Sequence, residues 1–320
     1  MTGKTNISPD ILVSEESGKT KNPPAKRTAT LSIGMPVYNG ERFLREALDS
    51  ILSQTFEDFE LIISDNASTD GTEEICRAYA AKDNRIRYFR SERNLGAAWN
   101  FNRVFELSKG KYFKWAAHDD VYAPEFVGRC IEILDQHPSI ILCFAAEAKI
   151  IDEQGREIKH YVDRIDIRSP RPYKRFLDLI DHLELCHPIF GVIRSDILKK
   201  TPLHGNYVAS DVVLLAELAL RGPFYGIREP LFYRRDHPNR AVRANPTDEE
   251  HAVWFDPRNK GKANFITWRF FSEFLSAFRR VPMGVYEKSC CYFYMVRWLR
   301  GNRRKMQNEV IAAAKGILRG

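Results

Sequence analysis

Between residues 30 and 116, four short β-rich apolar runs alternate with three helical patterns, and this rhythm narrows the choice of fold more than any other feature. TLSIGMPV (30–37), FELIISD (59–65), IRYFRS (86–91) and KYFKWA (111–116) read as strands. ERFLREALDSILSQ, TEEICRAYAAK and NLGAAWNFNRVFELSKG (94–110) carry apolar residues at helical spacing, the last closed by Gly110 as a C-cap. Joints this short require right-handed crossovers, which set the strands in one mainly parallel sheet flanked by helices. The expected class is α/β, with a Rossmann-like sheet.

Beyond Pro124 the rhythm changes. A helix over 124–136 leads to a strand in ILCFAAEAKIID (141–152), followed by a polar, irregular stretch to about residue 172. HPIFGVIRSDIL (187–198) reads as strand, turn and short helix. SDVVLLAELALRG (210–222) reads as an amphipathic helix closed by Arg221-Gly222, and FYGIREPLFYRRDHP (224–238) as a final strand pair. From about residue 263 the sequence is helical, aromatic and basic. Residues 1–29, rich in Ser, Thr, Lys and Pro, read as a disordered leader with no signal-peptide core.

Charge and cysteine use exclude several classes. Residues 297–320 hold seven basic side chains against one acid, six of the seven net positive charges of the chain, so the body is nearly neutral. No recognised nucleic-acid motif accompanies them. The six cysteines are scattered without a CxxC pair, which points to reduced thiols in a cytoplasmic protein and away from a zinc site. No apolar run reaches the roughly 18 residues of a membrane span.

Ligands of an open α/β sheet sit at the carboxyl ends of its strands. The polar residues just past each expected strand are Pro36, Tyr38 and Asn39; Asp65, Asn66 and Ser68; Arg93 and Asn94; and His118, Asp119 and Asp120. Three carboxylates with amides and hydroxyls suit a hydroxyl-rich ligand and a hard divalent cation. Each has a plainer reading: Asp65 as a turn cap before the second helix, and Asp119 and Asp120 as caps before Pro124. One carboxylate suffices for a cap, and a cation offsets the repulsion of a second. There is no GxGxxG after the first strand and no GxxxxGK[ST] anywhere, so dinucleotide-fold and P-loop readings are weak.

MPVYNGERFLREALDSILSQTF, SDNASTDGT and NLGAAWNFNRVFELSKGKYFKWAAHDD, in this order, resemble the inverting family 2 glycosyltransferases of GT-A fold. The resemblance covers roughly residues 30–240. It implies a nucleotide-binding half (30–120), an acceptor and catalytic half (121–240), and a helical basic extension (241–320). It also implies that Pro36, Tyr38, Asp65 and Arg93 hold the nucleotide of a UDP- or dTDP-sugar. The family's Asp-x-Asp motif after the fourth strand holds a metal, Mn2+ or Mg2+; its second Asp falls on Asp119. The first position is Ala117, which leaves its work to His118 or Asp120. Asp211 matches the catalytic base, beside Ser210, with a helix-start charge next to a Ser210 cap as its plainer reading. His237, flanked by Arg234, Arg235 and Arg240, matches a late metal or diphosphate contact. His187 and Gly191 resemble the acceptor-side loop.

The reaction so implied moves a sugar to a hydroxyl of a glycan or lipid-linked acceptor, in cell-surface polysaccharide or glycolipid assembly. The alternative is a GT-A protein that binds sugar nucleotide without turnover. Met306, Val310, Ala313, Ala314 and Ile317 form one stripe among cations, either packed on the body or in peripheral contact with an anionic membrane through 297–320.

Overall fold

The structure is a computed structural model that describes residues 28–317. All but the last two residues of the expected leader lie outside the described residues.

The alternating segments fold as read. β1 (Leu31–Val37), β2 (Phe59–Asp65), β3 (Ile86–Arg90) and β4 (Tyr112–Trp115) pair in parallel in the order β3-β2-β1-β4. Between them lie α1 (Glu41–Leu52), α2 (Thr72–Lys82) and α3 (Ala97–Glu106). Helix α3 stops before the expected Gly110 cap. Gly110 instead presses on β1, where an added Cβ would come 2.6 Å from the Ser32 nitrogen.

The second half differs from the sequence reading. After β5 (Val121–Tyr122) and α4 (Phe126–Gln136) comes β6 (Leu142–Ile151), then a strand within the stretch read as irregular, β7 (Glu157–Val162). α5 (Pro172–His182) follows, then a 3-10 turn at His187–Phe190, where a strand is expected. Next are β8 (Val192–Arg194), α6 (Ser195–Leu198), α7 (Ser210–Arg221) and a single twelve-residue β9 (Phe224–Arg235) in place of a strand pair. The nine-stranded sheet continues β4-β8-β6-β9-β5, with β7 on β6. β8 runs antiparallel to both β4 and β6, and β6 and β9 are parallel, so the second half of the sheet is mixed. α8 (Ala241–Ala244), α9 (Asp248–Phe255), α10 (Ile266–Arg280) and the long α11 (Val285–Ile317) complete the chain.

Helices cover both faces. Leu31, Ile33, Met35 and Val37 of β1 share one core with α1, α2 and α4. Ile62, Phe113 and Trp115 share the other with α3, α5, α7, α10 and α11. Phe176 of α5 meets Phe274, Phe278 and Tyr294 edge-on with centroids 5.0–5.9 Å apart, and these contacts fix α10 and α11 against the body. All six cysteines are free, and no helix among the described residues is long and apolar enough to cross a membrane.

Candidate active site

A cleft of about 1020 Å³ opens at the carboxyl ends of β1 and β4. The loops that rim it are laced together by polar groups the sequence supplies at fixed places. Asn39 takes a left-handed conformation (φ 51°), which its short amide side chain tolerates. Its N–H donates to Ser68 Oγ (2.9 Å), and its Oδ1 accepts from the Thr69 N–H (2.8 Å). Gly40 is needed for close approach: a Cβ there would stand 2.7 Å from the His118 ring. The β1 turn and the His118-Asp119-Asp120 turn are thereby seated against each other. Tyr38 stands half-exposed at the mouth.

The paired carboxylates are held in two different states. Asp119 Oδ2 lies 2.9 Å from His237 Nε2. Burial opposes its charge, but that hydrogen bond and the His118, His237 and Arg240 charges outweigh burial and hold the carboxyl below its ordinary value. Asp120 is buried, and Oδ1 accepts the backbone N–H of Arg235 (2.9 Å). Burial, then the Asp119 charge, pushes its carboxyl up. Beneath them the fully buried Arg235 donates from Nε to the Asp119 carbonyl (3.0 Å) and from Nη1 to the carbonyls of Asp152 (3.1 Å) and Glu153 (3.3 Å). It lies over the Phe43 ring (4.7 Å), against which His237 also packs (4.8 Å).

These residues fit a divalent cation in part. Asp119 and His237 converge on one point, and the hard oxygens of a diphosphate in the cleft would complete an ion's shell, as magnesium sites commonly do. Asp120 lines the cleft but has one oxygen committed to β9. Among the described residues no three His, Cys, Asp or Glu side chains form a ready metal cage.

Pro36, Tyr38, Asp119, Asp120 and His237 therefore meet at one cleft; Asp65, Arg93 and Asp211 are outside its lining. Asp65 is fully buried. It accepts from the Ser68 N–H (2.8 Å) and the Tyr88 hydroxyl (2.7 Å), and Arg90 is 3.5 Å away, so it brackets β2 to β3 as a turn-forming group. Its neighbour Asn66 lines the cleft in its place. Arg93 is exposed. Asp211 lies in the first turn of α7, where Oδ1 accepts the Val212 N–H (3.0 Å), and burial followed by its charge pushes the Cys186 thiol up. Ser210 is no cap: Ala209 holds that position in a left-handed conformation (φ 58°), and the buried Ser210 hydroxyl has no hydrogen-bond partner.

Sequence reasoning missed two parts of the site. Asn100, three residues into α3, donates to the carbonyls of Val37 (3.2 Å) and Ser64 (2.9 Å) while its buried Oδ1 is unpartnered in the cleft lining. Residues 241–260, assigned to the extension, form a cleft wall with Glu249, Glu250, Trp254 and Lys260. Gly96 (φ 91°) lets this wall close in, since a Cβ there would come 2.4 Å from the Phe255 carbonyl. Nothing in the local pattern signals that contact across the chain.

Known proteins share this architecture. The family described as Glycosyl transferase family 2 matches residues 32–201. An uncharacterized glycosyltransferase of Rickettsia typhi is 36% identical over 229 residues, 70% of each chain. Other relatives are longer: the chain spans 21% and 19% of uncharacterized glycosyltransferases of Rickettsia felis and Rickettsia bellii. The S. aureus TarS 1–349 structure in complex with UDP-GlcNAc superposes with a TM-score of 0.60 at 15% identity, over 90% of this chain and 81% of that one. The mannosyltransferase PcManGT of Pyrobaculum calidifontis, in complex with GDP-Man and Mn2+, gives 0.50 at 15% identity over 92% and 88%. On the family match and the R. typhi relative, the chain belongs to glycosyl transferase family 2.

Proposed function

We propose that the protein transfers a sugar from a nucleoside-diphosphate sugar, UDP- or dTDP-linked, to a hydroxyl of a glycan or lipid-linked acceptor, with inversion at the anomeric carbon. The observation that carries this reading is the meeting of Asp119, His237, Arg234 and Arg240 at one cleft beside the β1 turn. The ligands of the solved relatives, UDP-GlcNAc in one and GDP-Man with Mn2+ in another, support it. Residues 30–120 would hold the donor and 121–240 the acceptor, with 241–260 as the wall between cleft and solvent.

Tyr38 and Asn66 border the nucleoside end, and Arg234 and Arg240 supply guanidinium groups whose fork matches phosphate oxygens. Asp119 and His237 would hold Mn2+ or Mg2+, which offsets charge on the departing diphosphate when bound. Asp120 shapes the turn through β9. Asp211, in the first turn of α7, is the assigned general base. It is not among the residues that line the cleft. Purified protein with Mn2+ and a panel of sugar nucleotides should show transfer or slow donor hydrolysis. Asp211→Asn should lower kcat about 100-fold or more with donor affinity kept; intact turnover would remove Asp211 from the mechanism. Donor binding without turnover under any metal would support the binding-protein alternative.

Peripheral membrane contact is the second part of the proposal. Helix α11 exposes Val285, Tyr286, Tyr292, Phe293 and Val296, with Arg297, Arg300, Arg303 and Arg304 exposed beyond them. This apolar and basic face lies upstream of the Met306 stripe, whose Met306 is buried. Phe293→Asp with Arg300→Glu should abolish sedimentation with anionic liposomes; equal sedimentation of both proteins would end this part.

A further inference from the structure

Three arginines line the cleft, and they are not held alike. Arg42 is paired with Glu153 (2.6 Å) and Arg240 with Asp236 (3.3 Å). Arg234 has no carboxylate partner among the described residues. Its Nη1 instead lies 3.1 Å from His187 Nε2. A guanidinium has no acceptor atoms, so the imidazole must accept at Nε2, and its proton is then on Nδ1.

The His187 ring is fixed on every side. It is buried and stands edge-on to Tyr161 (4.9 Å) and Phe232 (5.3 Å). Its Nδ1 faces the Asp163 carboxyl, with Oδ2 at 3.8 Å, and neither atom has a hydrogen-bond partner among the described residues. Asp163 in turn accepts from the Tyr161 hydroxyl (3.2 Å). The turn carrying His187 is secured by the buried Lys114, whose Nζ donates to the Phe190 carbonyl (2.7 Å). The His187–Asp163 contact has the spacing of an ion pair without its charges. Burial and the Arg234 and Arg240 charges press the imidazole down to about 3, while burial raises Asp163 to about 7.

We propose that His187 is a positioning residue that aims Arg234 at the diphosphate of the donor while leaving the guanidinium without a directly paired carboxylate. The inference rests on the donor reading above. A carboxylate in the place of His187 would hold Arg234 equally well but cancel the charge a phosphate needs. A neutral imidazole supplies an acceptor and no charge, and Asp163 stands one ring further away, 3.8 Å from Nδ1.

The test uses full-length protein, Mn2+, and UDP, dTDP and GDP, taking forward the tightest binder and its monophosphate. His187→Leu should weaken diphosphate binding at least 10-fold and monophosphate binding less than threefold. His187→Gln, whose amide oxygen can accept from Arg234, should restore diphosphate affinity to within threefold. In an Arg234→Leu background, His187→Leu should have no further effect. If His187→Leu does not fold, His187→Met keeps bulk between Tyr161 and Phe232 and serves in the same comparison. Unchanged diphosphate affinity, equal losses for mono- and diphosphate, or an undiminished effect without Arg234 would overturn the positioning role alone. Wild-type protein that binds none of the three diphosphates would overturn the donor reading, and this inference with it.

Discussion

Replacing Arg235 by Met removes the clamp beneath the acidic turn while keeping an apolar stem of similar length. Three carbonyls lose a donor: Asp119 in the turn, and Asp152 and Glu153 at the end of β6. An orphaned buried acceptor costs about 1–3 kcal/mol, and Asp152 and Glu153 are partly wet, so roughly 2–4 kcal/mol follows. Loss of the cation–π contact with Phe43 adds about 1 kcal/mol. Glu46, which faces Nη2, is half-exposed and adds little. Relief of the buried charge acts in the other direction by about 1 kcal/mol. The net expectation is a loss of about 2–4 kcal/mol, a large share of the usual 5–15 kcal/mol of stability. Urea unfolding followed by tryptophan fluorescence measures it. Nucleoside-diphosphate affinity with Mn2+ should also fall at least 10-fold, because the Asp119 carbonyl is the turn's anchor. Arg235→Met within about 0.5 kcal/mol of wild type, with unchanged affinity, would show that the clamp does not hold the turn.

Further outcomes follow from other contacts. Gly40→Ala sets a Cβ 2.7 Å from the His118 ring and should cost about 1–3 kcal/mol with a several-fold loss of donor affinity, read by thermal melting and titration calorimetry. Asp119→Asn keeps the shape and removes the charge, so Mn2+ should no longer enhance donor binding; persistence of that enhancement would place the ion elsewhere. His204 is buried between Phe101 and Trp115 with Nε2 unpartnered; burial, against the pull of Asp211, lowers it from 6.5 to about 4. The unfolded chain then binds a proton that the native state refuses, so stability falls as pH drops from about 6.5 toward 4, at about 1.4 kcal/mol per unit. Relative to His204→Leu, wild type should lose about 2 kcal/mol between pH 6.5 and 5 in urea titrations; parallel curves would contradict this.

The first half of the sheet was legible because β1, β2 and β4 are buried on both faces and the crossovers are short, so periodicity and length agree. The second half broke those rules for identifiable reasons. β9 reads as two strands because Gly226 and Pro230 look like breakers, yet Pro230 sits at a register shift between β6 and β9, where a missing N–H breaks no ladder bond. β7 is an edge strand with five of its six residues exposed, so it shows no alternation. At the site, a motif and a lone His beside arginines mark Asp119 and His237 in the sequence, and both line the cleft. Asp65 stands outside the lining in a turn-closing arrangement, and a carboxylate that closes a turn carries the same local pattern as one that holds a ligand. The wall at 241–260 depends on Gly96 and Phe255 meeting from distant parts of the chain, and no local pattern records that contact.

Two adjacent carboxylates at a buried strand end repel one another, and in the sequence that repulsion points to a cation. The structure tolerates them because it treats them unequally. Asp119 faces His237 and the arginines and stays ionised. Asp120 turns into the protein, takes a backbone donor from β9, and is driven toward its neutral form by burial and its neighbour. Like charges this close do not both ionise readily, so the pair presents close to one negative charge to the cleft. Arg240 is paired with Asp236, so Arg234 is the cleft arginine without a directly paired carboxylate among the described residues, which suits a cleft that must attract a diphosphate. The second carboxylate serves the fold: through Asp120, β9 and the turn after β4 are locked in register, and His237, two residues beyond Arg235, is delivered to Asp119.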